Sequence, residues 1–192
     1  PPLKPSQHRL TKNTPQTAPF ALGWEYYRVD LSSIDGISGG VISTLMSELG
    51  PREDLLKSFP TAARFCSWLK LCPDNRISGG RVLKAKTRSG KNRVAKALQL
   101  AAFGLNRSQS ELGKMLHRLK GRLGKAEAIT AVAHKLARIV HGMIQTGRSY
   151  DEKEAFRPRP QDEARLRRRI EQQAAKLGLT LVPTQAPAPN VA

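Results

Sequence analysis

Apolar residues recur at helical spacing through most of the chain. From Lys91 to Leu105, the residues Val94, Ala97, Leu98, Ala101, Ala102 and Leu105 fall on one stripe when successive positions turn by ~100°. Ser108 and Glu111 form a capping box, and the helix they open carries Leu112, Met115, Leu116, Leu119 and Leu123 inward. Ala126 to Gln145 repeats the pattern with Ile129, Val132, Ala133, Leu136, Val140, Met143 and Ile144, and Gly147 is its natural stop. Upstream, Val41, Ile42, Leu45, Met46 and Leu49 share one helical face, and Trp24, Tyr27 and Leu31 mark a shorter amphipathic piece. Pro60 to Leu71 reads as a helix with proline in its first turn and Phe65, Cys66, Trp68 and Leu69 in the core. Residues 161–177 form a last helix with Leu166, Ile170 and Leu177 inward. The only strand candidate is Arg81-Val82-Leu83-Lys84, a possible arm of a short hairpin, in a long loop from Cys72-Pro73-Asp74-Asn75 to about Gly90. The expected fold is mainly α: a compact helical domain with a helix-hairpin-helix-like N-terminal part, a long glycine-rich basic loop and a basic C-terminal helix.

Composition sharpens this outline. The chain has 192 residues, enough for one sizeable core with tails. Residues 1–22 read as a basic proline-rich linker, 23–150 as the folded domain, and 151–192 as a basic helical tail with a Pro/Ala-rich end. The net charge of +18 points to nucleic acid before any other partner. No apolar run approaches the ~18 residues of a membrane span, and the start, Pro1-Pro2-Leu3-Lys4-Pro5, has no secretory h-region. A start without Met suggests a fragment or processed chain, and the expected location is the bacterial cytoplasm, on the nucleoid. Cys66 and Cys72 are too few for a disulfide framework, and no CxxC pair signals zinc.

The charge also singles out one segment. From Arg76 to Lys125 there are 14 Lys and Arg residues against one acid, Glu111. Within it lies Ile77-Ser78-Gly79-Gly80, where glycines leave a serine hydroxyl uncrowded beside a surface suited to a phosphate chain. Ser78 is a candidate nucleophile; by itself the triplet reads first as a plain turn. Gly79, Gly80, Lys84, Lys86, Arg88, Lys91, Asn92 and Arg93 are candidate DNA contacts. So are Gly36, Ser38 and Gly39, where a helix opening at Ser38-Gly39 offers free backbone N–H groups to a phosphate; an ordinary helical corner is the alternative. On the helix from Ala126, His134, Arg138, His141 and Gln145 project together as a solvated face or a phosphate contact, with His134 and Arg138 the candidate DNA contacts. The two histidines are seven residues apart, ~10 Å along the axis, too far for one metal ion, and no metal site is expected.

The order of these segments resembles a known family. Ile34-Asp-Gly-Ile37, Ser47-Glu-Leu-Gly50, Phe59-Pro-Thr61, Trp68-Leu-Lys-Leu-Cys-Pro73, Asn75-Arg-Ile-Ser-Gly-Gly80, Arg88-Ser-Gly-Lys-Asn-Arg93 and Ala131-Val-Ala-His-Lys-Leu-Ala-Arg138 follow one another. Over about residues 20–150 this series resembles the C-terminal domain of insertion-sequence transposases related to the Piv and MooV recombinases (the IS one-ten and IS one-sixteen family). The resemblance implies a DNA transposase in which this domain binds element-end DNA and supplies a serine nucleophile, at Ser78, for strand cleavage and exchange. It further implies a RuvC-like domain whose carboxylates bind Mg²⁺, an element-encoded guide RNA, and a homo-oligomer of the full-length protein. The 15 acids of this chain form no such cluster, so the chain alone is expected to bind nucleic acid without cutting it. A non-catalytic DNA- or RNA-binding module left by truncation is the alternative.

Overall fold

The computed structural model describes residues 18–84, 87, 88, 90–157 and 160–180. The chain divides into two units, Pro1–Ala155 and Phe156–Ala192. The first holds helices α1 (Pro19–Tyr27), α2 (Gly39–Leu49), α3 (Arg52–Ser58) and α4 (Ala62–Trp68), then strands β1 (Arg76–Ser78) and β2 (Arg81–Lys84). Helices α5 (Arg93–Gly104), α6 (Glu111–Leu123), α7 (Lys125–Thr146) and α8 (Glu152–Ala155) complete it, and α9 (Pro160–Lys176) lies in the second unit. The fold is mainly α, as the periodicity indicates.

Helix α7 is the axis of the first unit. It packs on α5 and α6 along one side and on α4 along the other. Val132, Ala133, Leu136, Val140 and Ile144 are fully buried with Val94, Leu98 and Ala102 of α5 and Leu112 and Leu116 of α6. Each stripe was legible because burial of one apolar face follows the 3.6-residue period.

The second side of α7 overturns one expectation. His141 does not project with a solvated face: it is 0% exposed. Its Nε2 donates to the Phe59 carbonyl at 2.7 Å, and its ring lies 5.8 Å from that of Phe65. Gln145 Nε2 donates to the Pro60 carbonyl at 3.4 Å. His141 thus belongs to an inter-helix seam, because the Phe59 carbonyl between α3 and α4 needs a donor where water is excluded, while Arg138 and Gln145 of the same stripe stay exposed.

Other differences have equally local causes. The first helix starts at Pro19 and stops at Arg28, whose φ is +58°; Leu31 sits in a separate 3₁₀ turn capped by Asp30. The cap of α6 is Ser110, which accepts from Gly113 N at 3.3 Å, and not Ser108. Ser108 is drawn away by Asp35: its hydroxyl bonds Asp35 Oδ2, which Ser110 also reaches at 3.0 Å. Trp68 is 40% exposed rather than core; it lies over Phe59 at 5.1 Å as a partial lid on Phe65. Leu166, Ile170 and Leu177 are exposed, not inward. Leu123 is likewise exposed at the end of α6.

Candidate nucleic-acid interface

Ser78 ends strand β1 and pairs with Arg81, the first residue of β2. Between them Gly79 and Gly80 have φ of +54° and +74°, the signs of a type I′ turn, whose twist matches that of a two-residue hairpin. A Cβ at either glycine would touch nothing within 4 Å. Ser78, Gly79, Gly80, Arg81 and Leu83 are all exposed, so the serine stands at the tip of a projecting hairpin. Among the described residues none hydrogen-bonds its hydroxyl. The hairpin's root is fastened by a bridge between Pro73 and Thr87 and by an ion pair of Arg88 Nε with Asp74 at 3.4 Å.

From that root the chain runs into α5. Asn92 caps the helix, its side chain accepting from Ala95 N at 2.9 Å. Arg93 reaches Glu48 at 3.2 Å, and Lys91 is exposed. Arg88, Lys91, Asn92 and Arg93, singled out from sequence, share one cavity of about 700 Å³. Its other walls bring in four polar residues that sequence reasoning missed: Lys70 beyond α4, Thr87 at the hairpin root, and Lys96 and Gln99 on α5. Lys96 was within reach of a sequence reading, one turn beyond Lys91 and Arg93 on the polar side of α5. Lys70 carried no such signal.

The remaining candidates lie elsewhere. Gly36, at φ +89°, turns against α5; a Cβ there would lie 2.9 Å from the Ala101 carbonyl oxygen. Gly39 is buried on Pro19, whose Cγ a Cβ would meet at 2.6 Å. Ser38 is exposed and its side chain makes no cap bond. These three open α2, whereas Glu48, the partner of Arg93, lies near its other end, ~15 Å away at 1.5 Å per residue. Lys84 belongs to β2, and Lys86 lies outside the described residues.

His134 and Arg138 lie on α7. His134 is half-buried, and burial, with the nearby Arg138 charge second, holds its pKa below the usual value. Its carbonyl takes the Cys66 Sγ–H at 3.9 Å. Burial pushes the Cys66 thiol up to about 12. Burial also raises the Cys72 thiol, against the pull of Arg138 and Arg88, so both guanidinium groups lie in its field. Arg138 also borders a separate cavity of about 310 Å³ with Lys135 and Asp151.

Among the described residues no group of three or more His, Cys, Asp or Glu is placed to hold a metal ion, so the carboxylate–metal chemistry of a two-metal site does not fit them. No described helix is long and apolar enough to cross a membrane.

Residues 30–117 match the family model described as Transposase IS116/IS110/IS902 family, a little under half of the chain. The matched stretch contains Ser78, the hairpin root and every residue of the basic cavity, and ends within α6. No curated protein matches the chain.

Proposed function

We propose that this chain is the nucleic-acid-binding, serine-bearing part of a transposase, and that Ser78 attacks a DNA phosphate. The observation that carries the reading is the placement of Ser78: at the exposed tip of a type I′ hairpin whose root adjoins a cavity rich in cations, within a stretch similar to a transposase family. An exposed hydroxyl on a narrow two-stranded arm reaches a phosphate that a flat surface would not. Attack forms an Oγ–P ester and breaks the phosphate's bond to the leaving sugar oxygen, so the ester keeps the energy needed to rejoin strands. As the ester forms, the Ser78 hydroxyl gives its proton to a general base and the leaving sugar oxygen takes one up.

DNA is the first partner of this surface. A guide RNA and a second copy in the full-length protein remain part of the proposal through the family likeness alone. Ser78→Ala in a full-length transposase context should abolish strand transfer and leave DNA binding intact; retained transfer would refute the nucleophile. This chain alone, supplied with Mg²⁺ and element-end DNA, should bind without cleaving, and cleavage would show that it carries a complete site. A purely binding module, in which the same cations hold nucleic acid without chemistry, is the second reading.

A further inference from the structure

The cavity at the hairpin root has a feature that a casual basic surface lacks. Five cations line it, Lys70, Arg88, Lys91, Arg93 and Lys96, and no acid does. Arg88 and Arg93 are held by Asp74 and Glu48, acids that lie outside its lining. Both pairs are solvent-exposed, with arginine side chains 66% and 84% accessible, and such pairs yield readily to a competing anion. The floor is apolar, formed by the buried Leu69, Leu71 and Ala95.

Lys70 is the unusual member. Leu71 N bonds the Cys66 carbonyl at 3.2 Å and Lys70 N bonds the Ser67 carbonyl at 3.0 Å. These are the two bonds of a Schellman motif, and they place Lys70 at the position where glycine is the usual residue. Its φ is +58°, a conformation in which a Cβ is disfavoured. Across from it Gly90 has φ +148°, and a Cβ on Gly90 would lie 1.9 Å from Lys70 Nζ. A lysine thus occupies a glycine position, and a glycine vacates the space its amine fills. Strain held by an otherwise regular loop is an observation that asks for a function.

We propose that this cavity seats the phosphodiester backbone of a single nucleic-acid strand, with Lys70, set in place by Gly90, and Lys96 as the cations that position it. The proposal rests on the nucleic-acid reading above and goes further in naming a strand and a seat. The cations converge from the end of α4 (Lys70), from Arg88 and Lys91, and from the first turns of α5 (Arg93 and Lys96) onto one concave space. A double helix is convex, with a major groove alone about 12 Å wide, and would touch only the rim. A volume of about 700 Å³ lies within the roughly 300–1,000 Å³ range of small-ligand pockets, the scale of a short stretch of one strand. Thr87, which lines the cavity, is bridged to Pro73. Pro73 is five residues from Ser78, and so no more than ~18 Å from it even in a fully extended chain. A strand that leaves this seat on the hairpin side comes within reach of the serine.

The test is fluorescence anisotropy on the full chain with a short mixed-sequence DNA strand, the matched RNA strand and the blunt DNA duplex. Lys70→Gly should keep the fold without lowering the thermal midpoint, since glycine suits its φ. It should weaken single-strand binding about fivefold at 0.1 M salt and lower the salt slope by about 0.7, the loss of one phosphate contact. Gly90→Ala, which displaces the amine, should do the same with Lys70 still present, and Lys96→Gln should add a comparable loss. Binding of the DNA strand, the RNA strand or both in this pattern supports the seat and names the source of the backbone. Single-strand binding unaltered in folded Lys70→Gly and Gly90→Ala overturns the proposal, as does a duplex that binds as tightly as the single strand. If the unaltered chain binds no nucleic acid at all, the reading under it fails first, and that outcome is distinct from either.

Discussion

Helix α7 and the β1–β2 hairpin are built on opposite terms. The helix is packed along two sides, and eight of its residues, from Ala128 to Ile144, have no exposed surface. The hairpin tip contributes no buried residue from Ser78 to Arg81, and its two glycines have open space around them. The first is a scaffold, the second a tool carried by it. Precision at the tip comes from turn chemistry and from the Pro73–Thr87 bridge at the root. A site of this kind is free to change partners and geometry without weakening the core.

Substitutions on the two regions should therefore diverge. The largest effect expected is the loss of strand transfer in Ser78→Ala, with no change in thermal midpoint; a large loss of stability would mean that the tip is structural after all. Next, Leu136→Ala in α7 should cost ~3 kcal/mol in denaturant unfolding, as for other fully buried leucines, whereas Leu83→Ala on the hairpin should stay within about 0.5 kcal/mol. Equal costs would erase the distinction between scaffold and tool.

Replacing Arg88, Lys91 or Arg93 by Gln should leave stability nearly untouched and flatten the salt dependence of DNA binding by up to about one unit per lost contact. An unchanged slope would place these side chains away from the nucleic acid.

The scaffold should show its own pH response. With the His134 pKa depressed in the fold, the unfolded chain binds the proton first as pH falls through the ordinary histidine range near 6.5. The stability that neutral His134 contributes is present above that pH and declines below it, and His134→Gln should remove that part of the decline. The smallest effect is at the thiols. Cys72, half-exposed, should react with a disulfide reagent in the native protein, while Cys66, at 0% exposure and with its thiol raised to about 12, should react only on unfolding.

How far the sequence reached depended on how local each determinant is. The stripes of α2, α5, α6 and α7 were readable because an apolar face needs only its own period. Helix α3 was missed because seven residues with one buried side chain, Leu55, leave too little pattern. The choice of Ser110 over Ser108 as cap was beyond local reading, since both hydroxyls qualify and Asp35, more than seventy residues upstream, decides between them. His141 was misplaced for a similar reason: a polar residue opposite an apolar stripe reads as solvated until a distant carbonyl, that of Phe59, claims it.

By itself the sequence determined a mainly helical chain, a dense positive segment within it, and a serine followed by two glycines, the pair a two-residue turn needs. These follow from periodicity, charge and backbone freedom, all properties of neighbours along the chain. Tertiary structure decided that α7 is packed on two sides, that Arg88, Lys91 and Arg93 share a cavity with Lys70 and Lys96, and that Lys70 and Gly90 are shaped to one another. Those facts belong to residues brought together by the closing of a long loop, and no period along the chain encodes which side chains meet when it closes.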